Sequence, residues 1–215
     1  MINYNDVAGQ NVRRIEALSD GVFAIALTLL VLEIKVPDVH VHSEKELFNA
    51  IATLSPKFLS YFLSFMTMGI FWTGQALQLS YMENYNRDLN WNSLFFLLLI
   101  SLLPFTTAFL GEYIEFKLAI GLYWLNIFLL GVMIYIHWRY AYRKNFIALK
   151  GKELEAFDKA IRKRVIVAQA LYLFGALLCF INSYVSIGFI ILVQLNYALA
   201  IFSPRLKKRI KQNPA

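Results

Sequence analysis

Charge is scarce in this chain. Only 16% of its 215 residues are Asp, Glu, Lys or Arg, against about 25% in soluble domains. A water-facing globular surface is therefore excluded for most of its length. Cysteine is reduced to Cys179 alone, which excludes an intrachain disulfide and any CxxC site. There is no GxSxG, no HExxH and no Gly-rich phosphate loop, so nothing supports an enzyme or a bound cofactor. No internal repeat appears, and no polar stretch is long enough for a separate soluble domain. Hydrophobic residues make up 59%, with a mean hydropathy of +0.53.

A hydrocarbon core of about 30 Å takes about 20 apolar residues to cross. Six runs approach that length, at about 12–34, 56–79, 91–110, 118–138, 165–181 and 186–202. The first is too long for a signal-peptide core and carries Asp20, so no cleaved leader is expected. Pro37 stops it, and Pro56 opens the second, where a missing N–H costs no helical bond. Pro104 inside the third predicts a kink. Between the first two, Ser43 and Glu46 have capping-box spacing. Leu47, Phe48, Ile51 and Leu54 follow as an apolar stripe, which reads as a short interfacial helix. The expectation is an all-α membrane protein forming one six-helix domain over residues 1–215.

Basic residues fix the orientation. Alternating the loops puts seventeen of the 21 Lys and Arg on one side: Arg13, Arg14, Arg87, nine within 139–164 and five within 205–211. Lys35, Lys45, Lys57 and Lys117 lie opposite. The bias predicts cytoplasmic termini, a cytoplasmic basic stretch at 139–164 and a basic tail at 204–215, in the cell inner (plasma) membrane. Those charges read first as topology signals rather than a nucleic-acid surface. In the stretch, Leu154, Phe157, Ile161 and Val165 keep helical spacing and predict a helix that flows into the fifth span.

The first span, RRIEALSDGVFAIALTLLVLEIK over Arg13–Lys35, is polar where it should not be. Ser19 and Asp20 sit inside it, and a carboxylate in hydrocarbon must find protein or water. At about 100° per residue Ile25, Leu29 and Leu32 share one face, extended by Leu18 and Val22, and Asp20 lies roughly 140° away. Arg13 is near Asp20 on the wheel and is a candidate partner. Trp72, Thr73, Gln75, Gln78 and Asn92 lie at comparable depth in the second and third spans. Together they read as interhelical glue, or else as a proton relay with a single carboxylate. Asn126, Gln194 and Asn196 read as interhelical bonds, and His137, beside Trp138 and Tyr140, as part of an aromatic belt. His40 and His42 are a weak two-ligand metal pair. The apolar line of the first helix is either buried packing or the wall of a pore.

Arg14-x-x-x-Leu18-Ser19-Asp20 followed by GVFAIALTLLVLEI closely resembles the RxxxFSD signature of the transmembrane protein 175 family of lysosomal and prokaryotic cation channels. Phe71-Trp72, Asn92, Leu102-Leu103-Pro104-Phe105 and Gly111-Glu112-Tyr113 agree, so the resemblance covers about residues 12–113. It implies a homotetramer of six-helix subunits with the first helix lining a central pore. It places the narrowest apolar ring at Ile25, continued by Leu29 and Leu32, with Thr28 at the pore edge. The Ser-Asp pair would brace the pore helix through Trp72, Gln75 and Asn92. The permeant species would be monovalent cations, K+ first. Leu18 replaces the motif Phe, and Gln75 replaces a His of helix two, which removes proton chemistry at that position. The rival readings are a proton-coupled transporter using Asp20 and a membrane scaffold.

Overall fold

The computed structural model describes residues 11–199; the end of the last predicted span and the basic tail lie outside them. Seven α-helices follow one another, and the described residues contain no sheet. They are α1 Val12–Leu32, α2 Glu44–Ala52, α3 Ser55–Ser80, α4 Arg87–Glu112, α5 Lys117–Arg143, α6 Gly151–Leu177 and α7 Ser183–Leu199. A 3-10 turn, Leu178–Phe180, prolongs α6. Four of these, α1, α4, α5 and α6 with its 3-10 turn, are long and apolar enough to cross a bilayer. α3 has the length, at 26 residues, but carries several polar side chains that it turns inward. α7 is apolar over 17 described residues.

Boundaries shift where caps act. Asn86 accepts a hydrogen bond from the Leu89 N–H at 3.1 Å, so α4 starts at Arg87 rather than near Trp91. α4 then continues through Pro104 to Glu112. The basic stretch is a helical hairpin. α5 runs on to Arg143, Asn145 turns the chain at φ 55°, and α6 begins at Gly151. Asp158, buried on α6, holds the hairpin shut. It accepts from Trp138 Nε1 at 3.1 Å and pairs with Arg162 at 2.7 Å and Arg139 at 3.8 Å. The 81–86 connection lies against the 144–150 turn, with Ala148 N–H donating to the Tyr81 carbonyl at 2.9 Å.

α3 is the central helix, packed on α1, α4, α5 and α7. Its hydroxyls explain why polar residues sit in an apolar run. Thr107 of α4 donates to Ser64 Oγ at 2.6 Å, and Ser64 donates to the Tyr123 hydroxyl of α5 at 3.1 Å. That hydroxyl meets Thr67 Oγ1 at 3.0 Å, which accepts from Gln194 of α7 at 2.6 Å. Four helices are thus laced together. Such bonds contribute roughly 1 kcal/mol each inside a membrane. Asn126 likewise reaches Thr106 across α4 and α5 at 3.3 Å.

At the far end α3 and α4 approach so closely that a Cβ at position 111 fits only if a neighbour shifts. A Cβ on Gly111 would lie 2.7 Å from Ser60 Oγ and 3.3 Å from the Lys57 Cα. Gly111→Val should therefore cost about 1–3 kcal/mol by overpacking. The check is a lower thermal unfolding midpoint of the detergent-solubilised protein. Gly111→Ala should fall between Val and wild type, because Ser60 can rotate.

Candidate functional site

α1 begins where Asn11 caps Arg13 N–H at 3.1 Å. Its buried residues are Ile15, Ser19, Phe23, Ala26 and Leu30. Their three- and four-residue spacing draws one face, which lies on α3 and α4. The adjoining face is bare in the single chain. Ile25 is 62% exposed, Leu29 42% and Leu32 67%. Leu18 is exposed as well, while Val22 is partly buried at the seam. Thr28 is exposed and folds its hydroxyl back onto the Ile25 carbonyl at 2.8 Å.

The other side of α1 is fixed by a bond and a ring cluster. Trp72 Nε1 of α3 donates to Asp20 at 2.8 Å. One turn along, Phe23 of α1 and Phe71 of α3 each sit 6.1 Å from the ring of Phe96 on α4. Such tilted and edge contacts add about 0.5–1.5 kcal/mol beyond burial. Three helices therefore meet at one level. Asp20 is held by Trp72 rather than by Arg13; among the described residues neither Arg13 nor Arg14 forms an ion pair with it. Both arginines are exposed.

The remaining motif residues are distributed less simply. Ser19 is buried at 3% exposure, and its hydroxyl has no hydrogen-bond partner among the described residues. Gln75 is buried one turn beyond Trp72. Asn92 turns its amide N–H toward Met133 Sδ of α5 at 3.8 Å, away from α1, and leaves its Oδ1 unpartnered. Only Asp20 of the Ser-Asp pair makes a side-chain bond between helices.

His137 is not a belt residue. It is buried, with Nδ1 2.9 Å from Gln78 Oε1 and Nε2 3.1 Å from the Tyr85 hydroxyl. Gln78 spends its N–H on the Ile134 carbonyl at 3.2 Å, so its oxygen faces the ring and the proton sits on Nδ1. Tyr85 also contacts Ser93 Oγ at 2.6 Å, and burial pushes its phenol up to about 12. It therefore stays a donor at any physiological pH. The node ties α3, α4, α5 and the 81–86 connection. Its sequence signal was available: His137 follows Ile134 by three and precedes Ala141 by four, the buried seam of α5.

The outer histidines His40 and His42 are exposed. Among the described residues no group of three or more His, Cys, Asp or Glu could hold a metal. Glu46 caps back as the spacing required, but onto the His42 N–H at 2.8 Å rather than Ser43. Leu47, Phe48 and Ile51 of α2 are exposed.

Long apolar helices laced by buried polar bonds, with a first helix braced on one face and bare on another, define a multi-pass helical membrane protein. The chain belongs to the TMEM175 family. The family model described as "Endosomal/lysosomal potassium channel TMEM175" matches residues 14–104. A protein of Chamaesiphon minutus named as a potassium channel is 33% identical over 191 residues, covering 86% of this chain and 93% of its own. A second, from a Chryseobacterium species and also named as a potassium channel, is 28% identical over 202 residues, 93% and 98% of the two chains. The crystal structure titled as a lysosomal potassium-selective channel TMEM175 homolog from Chamaesiphon minutus superposes with a TM-score of 0.73. The two chains are 29% identical, and the match covers 88% of this chain and 97% of that one.

Proposed function

We propose that this protein is a passive, potassium-permeable cation channel, not an enzyme and not a transporter. In this reading residues 1–215 form one six-helix domain that assembles as a homotetramer. Four copies of α1 surround the ion path, Ile25 makes its narrowest collar, and Leu29 and Leu32 continue the apolar lining outward with Thr28 at its edge. Arg14, Leu18, Ser19 and Asp20 set the helix in place through Trp72, Gln75 and Asn92. Both termini face the cytoplasm across the inner membrane, as the basic bias requires. No cofactor is needed.

The observation that carries this reading is the bare line of Ile25, Leu29 and Leu32 on a helix whose other side is braced. Family membership gives that line its meaning. Aliphatic side chains offer an ion no ligands, so it must cross with part of its water shell, and width and wetting set the barrier. The more weakly hydrated cation passes more easily, which favours potassium over sodium. A transporter would instead call for paired broken helices or repeat symmetry, and the chain shows no such repeat.

The test is a planar-bilayer recording of purified protein under opposed potassium and sodium gradients. Unitary currents reversing toward the potassium equilibrium potential support a channel. Saturable flux without unitary steps would support the transporter, and no current from a folded oligomer the scaffold.

A further inference from the structure

Between α3, α5, α6 and α7, away from the α1 face, lies an apolar cleft of about 110 Å³. Leu77, Ile134 and Val165 are among its walls, and Arg164 and Tyr197 line it as well. Gln169 also lines it and crosses α5 at Gly131, where a Cβ would collide with its amide. The volume is several times the roughly 10–15 Å³ that a single water needs. The cleft has room for a stretch of one linear hydrocarbon chain.

Arg164 gives the cleft its chemistry. It is the last basic residue before the apolar run of α6 and so stands at headgroup depth in a bilayer. Its guanidinium lies 5.5 Å from the centre of the Tyr197 ring, which leaves its in-plane N–H groups free to donate. Among the described residues it has no ion pair, whereas Arg139 and Arg162 are both engaged by Asp158. Lys163 is its neighbour, and five more basic residues follow Tyr197 within 205–211. An occupant must therefore be negative at one end and aliphatic at the other. We propose that the cleft binds one anionic phospholipid of the surrounding bilayer, its phosphate on Arg164 and part of one acyl chain between α3 and α6.

The test is native mass spectrometry of the purified full-length protein from micelles holding equal phosphatidylglycerol and phosphatidylcholine. Wild type should retain phosphatidylglycerol about tenfold over phosphatidylcholine. Arg164→Gln, at an exposed position that leaves packing intact, should lower that retention about tenfold. Ala168→Phe, which fills the cleft and keeps the charge, should lower it too, while Lys163→Gln should change it less than about twofold. Equal retention of the two lipids would overturn the proposal. So would equal losses in Arg164→Gln and Lys163→Gln, which would mean diffuse attraction. Displacement of the phospholipid by an equal concentration of palmitate would assign the cleft to free fatty acids instead. None of these readouts depends on ion conduction.

Discussion

Ile25→Asn should raise single-channel conductance about tenfold, if it removes about 1.4 kcal/mol from the crossing barrier. Asn has as many side-chain heavy atoms as Ile but is smaller, and it carries an amide that holds water and offers an ion a carbonyl oxygen. Replacing one collar of four aliphatic side chains by four amides converts a dewetting constriction into a wet one. Preference for potassium over sodium should fall in the same recordings, because the cost of dehydration no longer separates the ions. The substitution sits on a face with 62% exposure of Ile25, so the single-chain fold has no packing there to lose. Leu32→Asn should act in the same direction and more weakly, at a wider point of the path. Conductance unchanged in a folded Ile25→Asn oligomer would assign the stripe to packing.

Asp20→Ala should abolish most of the current, whereas Asp20→Asn should keep most of it. Trp72 donates its indole N–H to Asp20, and an amide oxygen can accept that bond as a carboxylate does. Alanine cannot, and α1 then keeps only its buried apolar face on α3 and α4. Hydrogen bonds to charged groups contribute roughly 1.5–3 kcal/mol, and even the lower end is about tenfold in the population of a correctly held helix. Trp72→Phe keeps the ring and loses the donor, so it should resemble Asp20→Ala. The two combined should be no worse than either alone, the signature of one shared bond. A proton-coupled transporter gives the opposite pattern. There the carboxylate itself is the working group, and Asp20→Asn would be as inactive as Asp20→Ala. Current per reconstituted oligomer separates the two.

Period and capping chemistry made much of this legible in advance. Leu29 and Leu32 fall with Ile25 on one arc because 100° per residue puts them there, and that arc is bare in the structure. Ser43 and Glu46 announce the start of α2 three residues apart. Partners across helices were less legible. A wheel says that Asn92 must face something, but not that its amide turns to Met133. It puts Arg13 near Asp20, yet a flexible arginine at an exposed helix start is held less firmly than a short, stiff indole carried well inside α3. His137 was hidden by its neighbours: Trp138 and Tyr140 look like an interfacial girdle, and only the seam of α5 reveals that the imidazole points inward. The Ser64, Thr67, Thr107 and Tyr123 lattice was invisible for a related reason. Hydroxyls in a membrane run also satisfy themselves on their own helix, as Thr67 does on the Leu63 carbonyl at 2.9 Å. The interhelical roles of these hydroxyls therefore leave no mark in one dimension, unlike those of the mid-span amides Asn126 and Gln194.

The most direct measurement concerns the axis itself. A cysteine at position 25, with the buried Cys179 changed to Ser, gives an oligomer with thiols only at the supposed collar. Cadmium, a soft cation that thiolates bind together, should block the current of Ile25→Cys channels and be lifted by a chelator. Wild type should be indifferent. Untouched currents through Ile25→Cys channels, with the thiols modified by a reagent that reaches them from lipid, would put Ile25 off the conduction path and contradict the pore assignment.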